Sequence, residues 1–510
     1  MLERVCGSKK VESVEVSDPC KLHPRRLPSH GRADQQCPQV TINKLPNEVL
    51  LEIFGFCMAY PLPPLSHQED AWHTLVHVCR RWRYIVFGSP RHLNLRLLCM
   101  NKRLLKTLDI WPELPIVVHV DDGELCQPPG VTDVVSMLKR NDRVCKVIID
   151  NVSNPLLEEL ATVNESFPAL IELELVSTMV DPLTLAPRLS HSSLGGSIPS
   201  LRSLTLCGIS IRAIGNLLVS TRDLVTLTLG CSPPSGYISP EAMVAILSTL
   251  TRLESLHLSF EIPQFPIYGG SRRPLVPTRI DLPALTTFAF DGHSRYLADM
   301  VSRIDAPLDC ITLTVNIFDP SQLEFDFPLL RDFIWRTKLF NEPHRADTSF
   351  KDHYSVISLF QRKGGVDFKV FSLEIPCYAL ISRLLTLAQA CSLLLLPLSG
   401  LEHLSLYKSK SDLLSLRWQS EVENAHLMEF IRPFIAVKDL VLEGPVVFSI
   451  ASALQELVGG RVTEILPALQ NIFLQSPPSS DPAPEGICKF IAARELCGCP
   501  VVVHHQEWEI

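Results

Sequence analysis

An α/β fold is predicted for this chain of 510 residues: a small all-α module followed by a solenoid of short parallel strands and helices. Three observations predict it. A pattern L-x-x-L-x-L recurs from about residue 140 almost to the C-terminus. Its copies lie about 22 to 38 residues apart, too far for hairpins and right for a strand plus a returning helix. Ahead of them, two amphipathic stretches flank a proline-rich run, a pattern of short helices joined by a loop.

Residues 1–38 form a flexible arm in this reading, with Pro19, Pro24, Pro28 and Pro38 and no hydrophobic period. The arm holds Cys20, His23, His30 and Cys37, but nothing around them builds the compact turn that four zinc ligands require. Residues 39–95 form the helical module. Pro46 suits a first helical turn, where its missing N–H is not needed, and Val49, Leu50, Ile53 and Phe54 then share one face. A second helix is expected from Trp72 to Phe87, with Leu75, Val78, Cys79, Trp82, Ile85 and Val86 on its apolar face. Between the two lies Pro61-Leu-Pro-Pro-Leu65, read as a looped-out insertion. So few residues bury little surface, so the module is expected to dock on something else.

Residues 96–139 are read as a linker or cap, 140–486 as the repeats and 487–510 as a C-terminal cap with a strand at Val501–Val503. Clear copies are Leu170-Leu173-Leu175, Leu201-Leu204-Leu206, Leu224-Leu227-Leu229, Leu253-Leu256-Leu258 and Leu401-Leu404-Leu406. Leu330-Phe333-Trp335 and Phe368-Phe371-Leu373 are read as further copies of the same strand, after a weaker first copy at Val144-Val147-Ile149. The final L-x-L has the period-two alternation of a strand. Ser239-Pro-Glu241 reads as the start of an intervening helix, an N-cap serine before a first-turn proline and an acid. Ile262–Pro277, Asn341–Gly365 and Pro477–Gly486 break the pattern and read as surface insertions. A doubly wound α/β sheet also alternates strands and helices, but it calls for longer β-branched strands and a glycine-rich first turn.

The formal charge of −8 and a pI near 6.1 argue against nucleic acid or an anionic membrane as the main partner. Sixteen scattered cysteines and no N-terminal apolar run point to free thiols in a reducing compartment, cytoplasmic or nuclear. The uncharged stretch Leu384–Gly400 is shorter than a membrane span and is broken by Pro397, so a buried helix is expected there. No phosphate-binding glycine loop, nucleophile elbow or paired-cysteine metal motif is present, and no enzyme, cofactor or metal is expected. Cys488, Cys497, Cys499, His504 and His505 cluster near the end, but Cys-x-Cys is a poor spacing for structural zinc. Binding is expected on the x positions of the strands, which point away from the leucine core: Glu172, Glu174, Thr205, Thr228, His257, Thr312, Arg336, His403 and Tyr407 among them. These are mostly small and polar, without the stacked aromatics and basic residues of a single-strand nucleic-acid platform, and they suit a protein partner.

Leu45-Pro46-Asn-Glu48-Val49-Leu50-Leu51-Glu52-Ile53-Phe54, followed by Val78-Cys79-Arg80-Arg81-Trp82, closely resembles the F-box. The chain as a whole resembles the F-box proteins with leucine-rich repeats abundant in basidiomycete fungi, on segments such as Leu108-Asp-Ile-Trp-Pro112 and Phe490-Ile-Ala-Ala-Arg494. The resemblance implies a leucine-rich-repeat solenoid and the role of substrate receptor in a cullin-RING ubiquitin ligase of the SCF type. The F-box would bind a Skp-type adaptor and through it a cullin, while the repeats hold a protein substrate, with no catalysis by this chain. Leu45, Pro46, Val49, Leu50, Ile53, Phe54, Val78, Cys79 and Trp82 would divide between the adaptor surface and the domain's own core. The alternative is a repeat scaffold acting outside any ligase.

Overall fold

In a computed structural model, the residues described are 42–59, 71–99, 112–120, 131–163, 165–177, 198–209, 214–231, 238–260, 279–316, 327–337, 343–351, 354–376, 380–394, 398, 400–408, 421–457, 459–475 and 484–506. Residues 1–53 and 54–510 form two compact units. In the first, a 3₁₀ turn at Ile42–Lys44 leads into helix α1 (Asn47–Ala59), whose second half belongs to the second unit. The N-terminal arm with Cys20, His23, His30 and Cys37, the Pro61–Leu65 loop and the Ile262–Pro277 insertion lie outside the described residues.

The second unit is mixed α/β. Helices α2 (Ala71–Val78) and α3 (Arg80–Gly88) come first, then strands β1 (Leu97–Cys99) and β2 (Ile116–Val120). Next are α4 (Val131–Leu138), β3 (Val144–Ile149), α5 (Asn154–Thr162), β4 (Glu172–Val176) and β5 (Ser203–Cys207). They are followed by α6 (Ile214–Ser220), β6 (Thr226–Cys231), α7 (Pro240–Leu247) and β7 (Ser255–Phe260). Then come β8 (Ile280–Asp281), β9 (Thr287–His293), α8 (Ser294–Val301), β10 (Ile304–Asp305), β11 (Cys310–Asn316) and α9 (Phe327–Thr337). Strands β12 (Arg345–Phe350), β13 (Tyr354–Lys363) and β14 (Val366–Pro376) follow without a helix between them. The chain ends with α10 (Leu380–Leu394), β15 (His403–Lys408), α11 (Glu421–Ile431), β16 (Asp439–Glu443), α12 (Val446–Gln455), β17 (Asn471–Gln475), α13 (Glu485–Leu496) and β18 (Val502–Gln506).

Sixteen of these strands make one sheet, ordered along the sequence except for the reversed trio β14-β13-β12. Every pairing is parallel apart from β12–β13 and β13–β14. Alternation decides which side chains are inside: in β4, Leu173 and Leu175 are buried while Glu172 and Glu174 are half-buried. The register then aligns leucine on leucine, Leu173 beside Leu204, Leu227 and Leu256, so each unit covers its neighbour's apolar side chains.

One turn repeats before the strands. The Leu201 amide donates to the Ile198 carbonyl at 3.3 Å, Leu224 to Thr221 at 3.2 Å, Leu253 to Leu250 at 3.1 Å and Leu469 to Leu466 at 3.0 Å. The next two amides then share one carbonyl of the preceding unit. Arg202 and Ser203 donate to Ile171, Val225 and Thr226 to Arg202, and Glu254 and Ser255 to Val225. The first leucine of L-x-x-L-x-L thus closes the turn, the two x residues carry the relay, and the remaining leucines fill the core. Helices return the chain to the next strand, and successive helices pack on one another. In α7, Ser239 caps the N-terminus, its hydroxyl accepting from the Ala242 amide at 3.2 Å, with Pro240 in the first turn as the sequence indicated. In α10, Leu384, Leu387, Ala390 and Cys391 are buried, and no described helix is long and apolar enough to cross a membrane.

The sheet begins at Leu97, and residues 96–139, read as a linker or cap, hold two of its strands and a helix; the β2 run Ile116-Val-Val-His-Val is buried at four of five positions. Two sequence readings are corrected. Leu330-Phe333-Trp335 lies in α9, because Ile334 beside Phe333 completes a helical apolar face that buries Leu330, Phe333 and Ile334 and leaves Trp335 54% exposed. The strand expected there comes from Arg345–Phe350, inside the supposed insertion at 341–365, which forms all of β12 and β13.

Candidate functional site

Two surfaces carry the candidate residues. The first group lies on α1, the first half of which is in the first unit, and on α2 and α3 of the second unit. In α1, Leu50 and Phe54 are fully buried and Met58 nearly so, while Val49 is 42% and Phe56 68% exposed on the remaining surface. Pro46 is exposed ahead of the helix, its carbonyl accepting from the Leu50 amide at 3.1 Å, and Leu45 and Ile53 are half-buried. The single helix expected from Trp72 to Phe87 is broken at Cys79, whose backbone is extended (φ −158°, ψ 170°) and whose Sγ caps α3 by accepting from the Trp82 amide at 3.4 Å. The break turns Val78 and Cys79 off the core face: Val78 is 58% exposed and Cys79 is exposed. Trp72, Leu75 and Val76 on α2 and Ile85 and Val86 on α3 supply the core instead.

Aromatic contacts hold these helices. The half-buried Trp82 ring lies 4.7 Å from Phe54, and Trp72 lies 5.8 Å edge-on to Phe87. Trp72 Nε1 donates to the Arg96 carbonyl at 2.8 Å, which ties α2 to the start of β1. The Arg83 guanidinium donates to the Val76 carbonyl at 3.0 Å and bridges α2 and α3. Sequence reasoning missed Phe56 and Tyr84, 68% and 77% exposed; the available signal was that each is a large ring off its helix's apolar face. Tyr84 joins Arg80, Arg83, Phe87 and Gly88 around an open surface depression on α3.

These positions coincide with a family match: residues 42–92 match the F-box-like family. The chain carries an F-box-like domain. No curated protein matches the chain. Within the F-box-like domain, Leu50 and Phe54 are core residues, and Pro46, Val49, Val78 and Cys79 are surface residues.

The second surface is the polar face of the sheet. Its register sets Glu174, Thr205, Thr228 and His257 in one row across β4 to β7, with Thr312 farther along on β11. Glu172 and His403 lie in the row before it and Tyr407 in the row after, each on its own strand. Arg336 is not among them. It sits on α9, where its guanidinium pairs with Asp305 and donates to the Val301 and Ile304 carbonyls.

Chemistry varies along this face. At its N-terminal end Lys146 pairs with Glu172 at 3.1 Å, and burial, reinforced by the Asp150 carboxylate, holds the Glu174 carboxyl above the usual range. Strands β5 to β7 present mainly serine and threonine. Toward the C-terminus a polar chain crosses four strands. His403 Nδ1 lies 2.9 Å from Asp439, whose other carboxylate oxygen accepts from the Asn471 amide at 2.7 Å. Asn471 Oδ1 lies 3.2 Å from His504 Nε2, and the His504 ring stacks on Phe473 at 4.7 Å. Of the C-terminal cysteines, Cys488 and Cys497 are exposed and Cys499 is half-buried, and no group of three metal-ligating side chains occurs among the described residues.

Proposed function

We propose that this chain is the substrate-receptor subunit of an SCF-type ubiquitin ligase. Its F-box-like domain binds a Skp-type adaptor and through it a cullin, and its polar sheet face holds a protein substrate. We read the sheet as the strand layer of a leucine-rich-repeat solenoid. The observation that carries the proposal is the F-box-like match over residues 42–92. The repeated turn and shared carbonyl of successive units support the repeat reading. In this reading the chain does no chemistry itself and works in the cytoplasm or nucleus, without nucleic acid or membrane as partner.

The adaptor contact falls to exposed apolar residues, Pro46 and Val49 in the first unit and Val78, with Cys79 beside it, in the second. Leu50 and Phe54 are buried and are not offered to the partner. Val49→Asp and Val78→Asp, each made singly in the full chain, should lower affinity for a purified Skp-type adaptor by at least about tenfold, or 1.4 kcal/mol. Unchanged thermal unfolding would show that the fold is intact. Full adaptor binding by both variants would overturn the assignment and leave a repeat scaffold acting outside a ligase. Trp82→Ala is a poorer probe, because Trp82 packs on Phe54 and its loss disturbs the domain's own core.

A further inference from the structure

Strands β13 and β14 have 10 and 11 residues, against 5 in each of β4, β5 and β16. The surplus projects past the sheet. The pairing of β12 stops at Arg345 beside Phe360, and that of β11 starts at Ile311 beside Phe371. Over Arg362–Lys363 and Val366–Lys369 the two strands therefore pair only with each other among the described residues. The ribbon is nonetheless a formed element, closed by Gly364 and Gly365 at φ 59° and 85°, the left-handed pair that a tight two-residue hairpin turn requires.

Such a ribbon is costly to leave bare. Among the described residues its strand edges are unpaired, a ready template for another strand. On one of its faces Val366 is 58% and Phe368 49% exposed; a register shift opposite Leu359 and Phe360 changes the alternation, so that farther along the strand the buried Phe371 and Leu373 take that face. Its charge is also local and distinct. Asp367 is engaged by Arg362 at 3.1 Å, with His344 at 3.2 Å and Arg345 at 3.6 Å. Lys363 and Lys369 are exposed and form no ion pair among the described residues. On a chain of formal charge −8, this tip carries Arg362, Lys363 and Lys369 against Asp367 alone.

We infer that the β13–β14 ribbon is a docking edge for an acidic, strand-forming segment of a partner protein, added alongside Val366–Lys369. Apolar side chains of the added strand would lie beside Val366 and Phe368, and alternate acidic ones would reach Lys369. The lysines also repel a second copy of the same ribbon, which separates partner binding from self-association. Nucleic acid or an anionic membrane would answer the charge but would use neither the strand edge nor the apolar pair. The inference does not rest on the ligase reading, since adaptor capture involves other residues.

The test uses the full chain against a displayed library of random octapeptides. Selected peptides should alternate Asp or Glu with Val, Ile or Phe. In fluorescence anisotropy, a synthetic peptide of the selected sequence should bind the Lys363→Glu/Lys369→Glu variant at least about tenfold more weakly, with unfolding temperature unchanged. Methylating alternate backbone nitrogens of the peptide should abolish binding to the wild type. The inference is overturned by selection of no such peptides, by equal binding to the variant, or by tolerance of the methylated backbone. It is equally overturned if an oligothymidylate or phosphatidylserine vesicles bind at these lysines and the peptides do not.

Discussion

Strands β4 to β7 and strands β12 to β14 belong to one sheet, yet they are joined to it differently. In the first group each strand is reached through a helix or a long connection and runs parallel to the last, and β5, β6 and β7 take their register from a shared carbonyl of the preceding unit. In the second group three strands follow one another directly, two of the pairings are antiparallel, and the ribbon outgrows its neighbours. The sheet resumes beyond it with the same relay, the Glu402 and His403 amides donating to the His344 carbonyl and Lys438 and Asp439 to Glu402. An insertion can thus reverse the chain twice without disturbing the units on either side, provided the strands that flank it keep their parallel register.

This contrast can be broken most sharply in the core. Leu227 is fully buried between Leu204 and Leu256, so Leu227→Ala should cost about 3 kcal/mol in chemical denaturation. Phe368→Ser on the ribbon should change stability by less than about 0.5 kcal/mol, because that ring is half exposed. Similar losses for the two would mean that the ribbon is packed rather than projecting.

The end of the regular series rests on Arg494, only 1% exposed, whose guanidinium donates to the carbonyls of Val462, Leu466, Pro467, Leu469 and Cys499. These carbonyls include the turn that precedes β17. Arg494→Met keeps much of the bulk and orphans the acceptors, so a loss of about 2 kcal/mol is expected by the same measurement. Hydrogen exchange should speed up first at the β17 amides; uniform acceleration across the sheet would show that the last unit has no separate stability.

The smallest effect is electrostatic and falls in both groups. Burial, with Asp150 second, raises the Glu174 carboxyl, and burial, with Asp291 second, raises that of Glu374. A carboxyl raised in the folded state binds protons there more readily than in the unfolded chain. Stability therefore falls as pH rises from the ordinary glutamate range through the folded value. Glu174→Gln and Glu374→Gln should each stabilise the protein at neutral pH, by no more than about 0.5 kcal/mol since both groups are partly solvated. The gain should vanish in acid; a gain that persists there would point to packing rather than charge.

Much of this was legible in the sequence. The phase of L-x-x-L-x-L identified the buried leucines and the polar row Glu174-Thr205-Thr228-His257, and the capping signature Ser239-Pro-Glu241 the start of α7. The residue pattern around Leu45–Phe54 and Val78–Trp82 located the F-box-like domain. It was silent on which of those residues face solvent, because apolar side chains serve core and interface alike. That division came from the extended Cys79 backbone, which ends α2 and exposes Val78.

What the sequence by itself determined is periodicity: which side chains share a face once an element forms, and that a strand-and-helix unit repeats. What only the tertiary structure decided is which element forms where the period is ambiguous, and which partner supplies its hydrogen bonds. Leu330, Phe333 and Trp335 fit the strand unit by spacing while Leu330, Phe333 and Ile334 fit a helix, and the fold uses the helix, burying Ile334 in place of Trp335. Arg345–Phe350 carries no leucine pattern, yet it becomes a central strand because β13 on one side and β15 on the other complete its backbone. The physical reason is that side-chain burial is written locally in the order of residues. Strand pairing is a bargain between distant backbones whose amides and carbonyls are the same in every residue but proline.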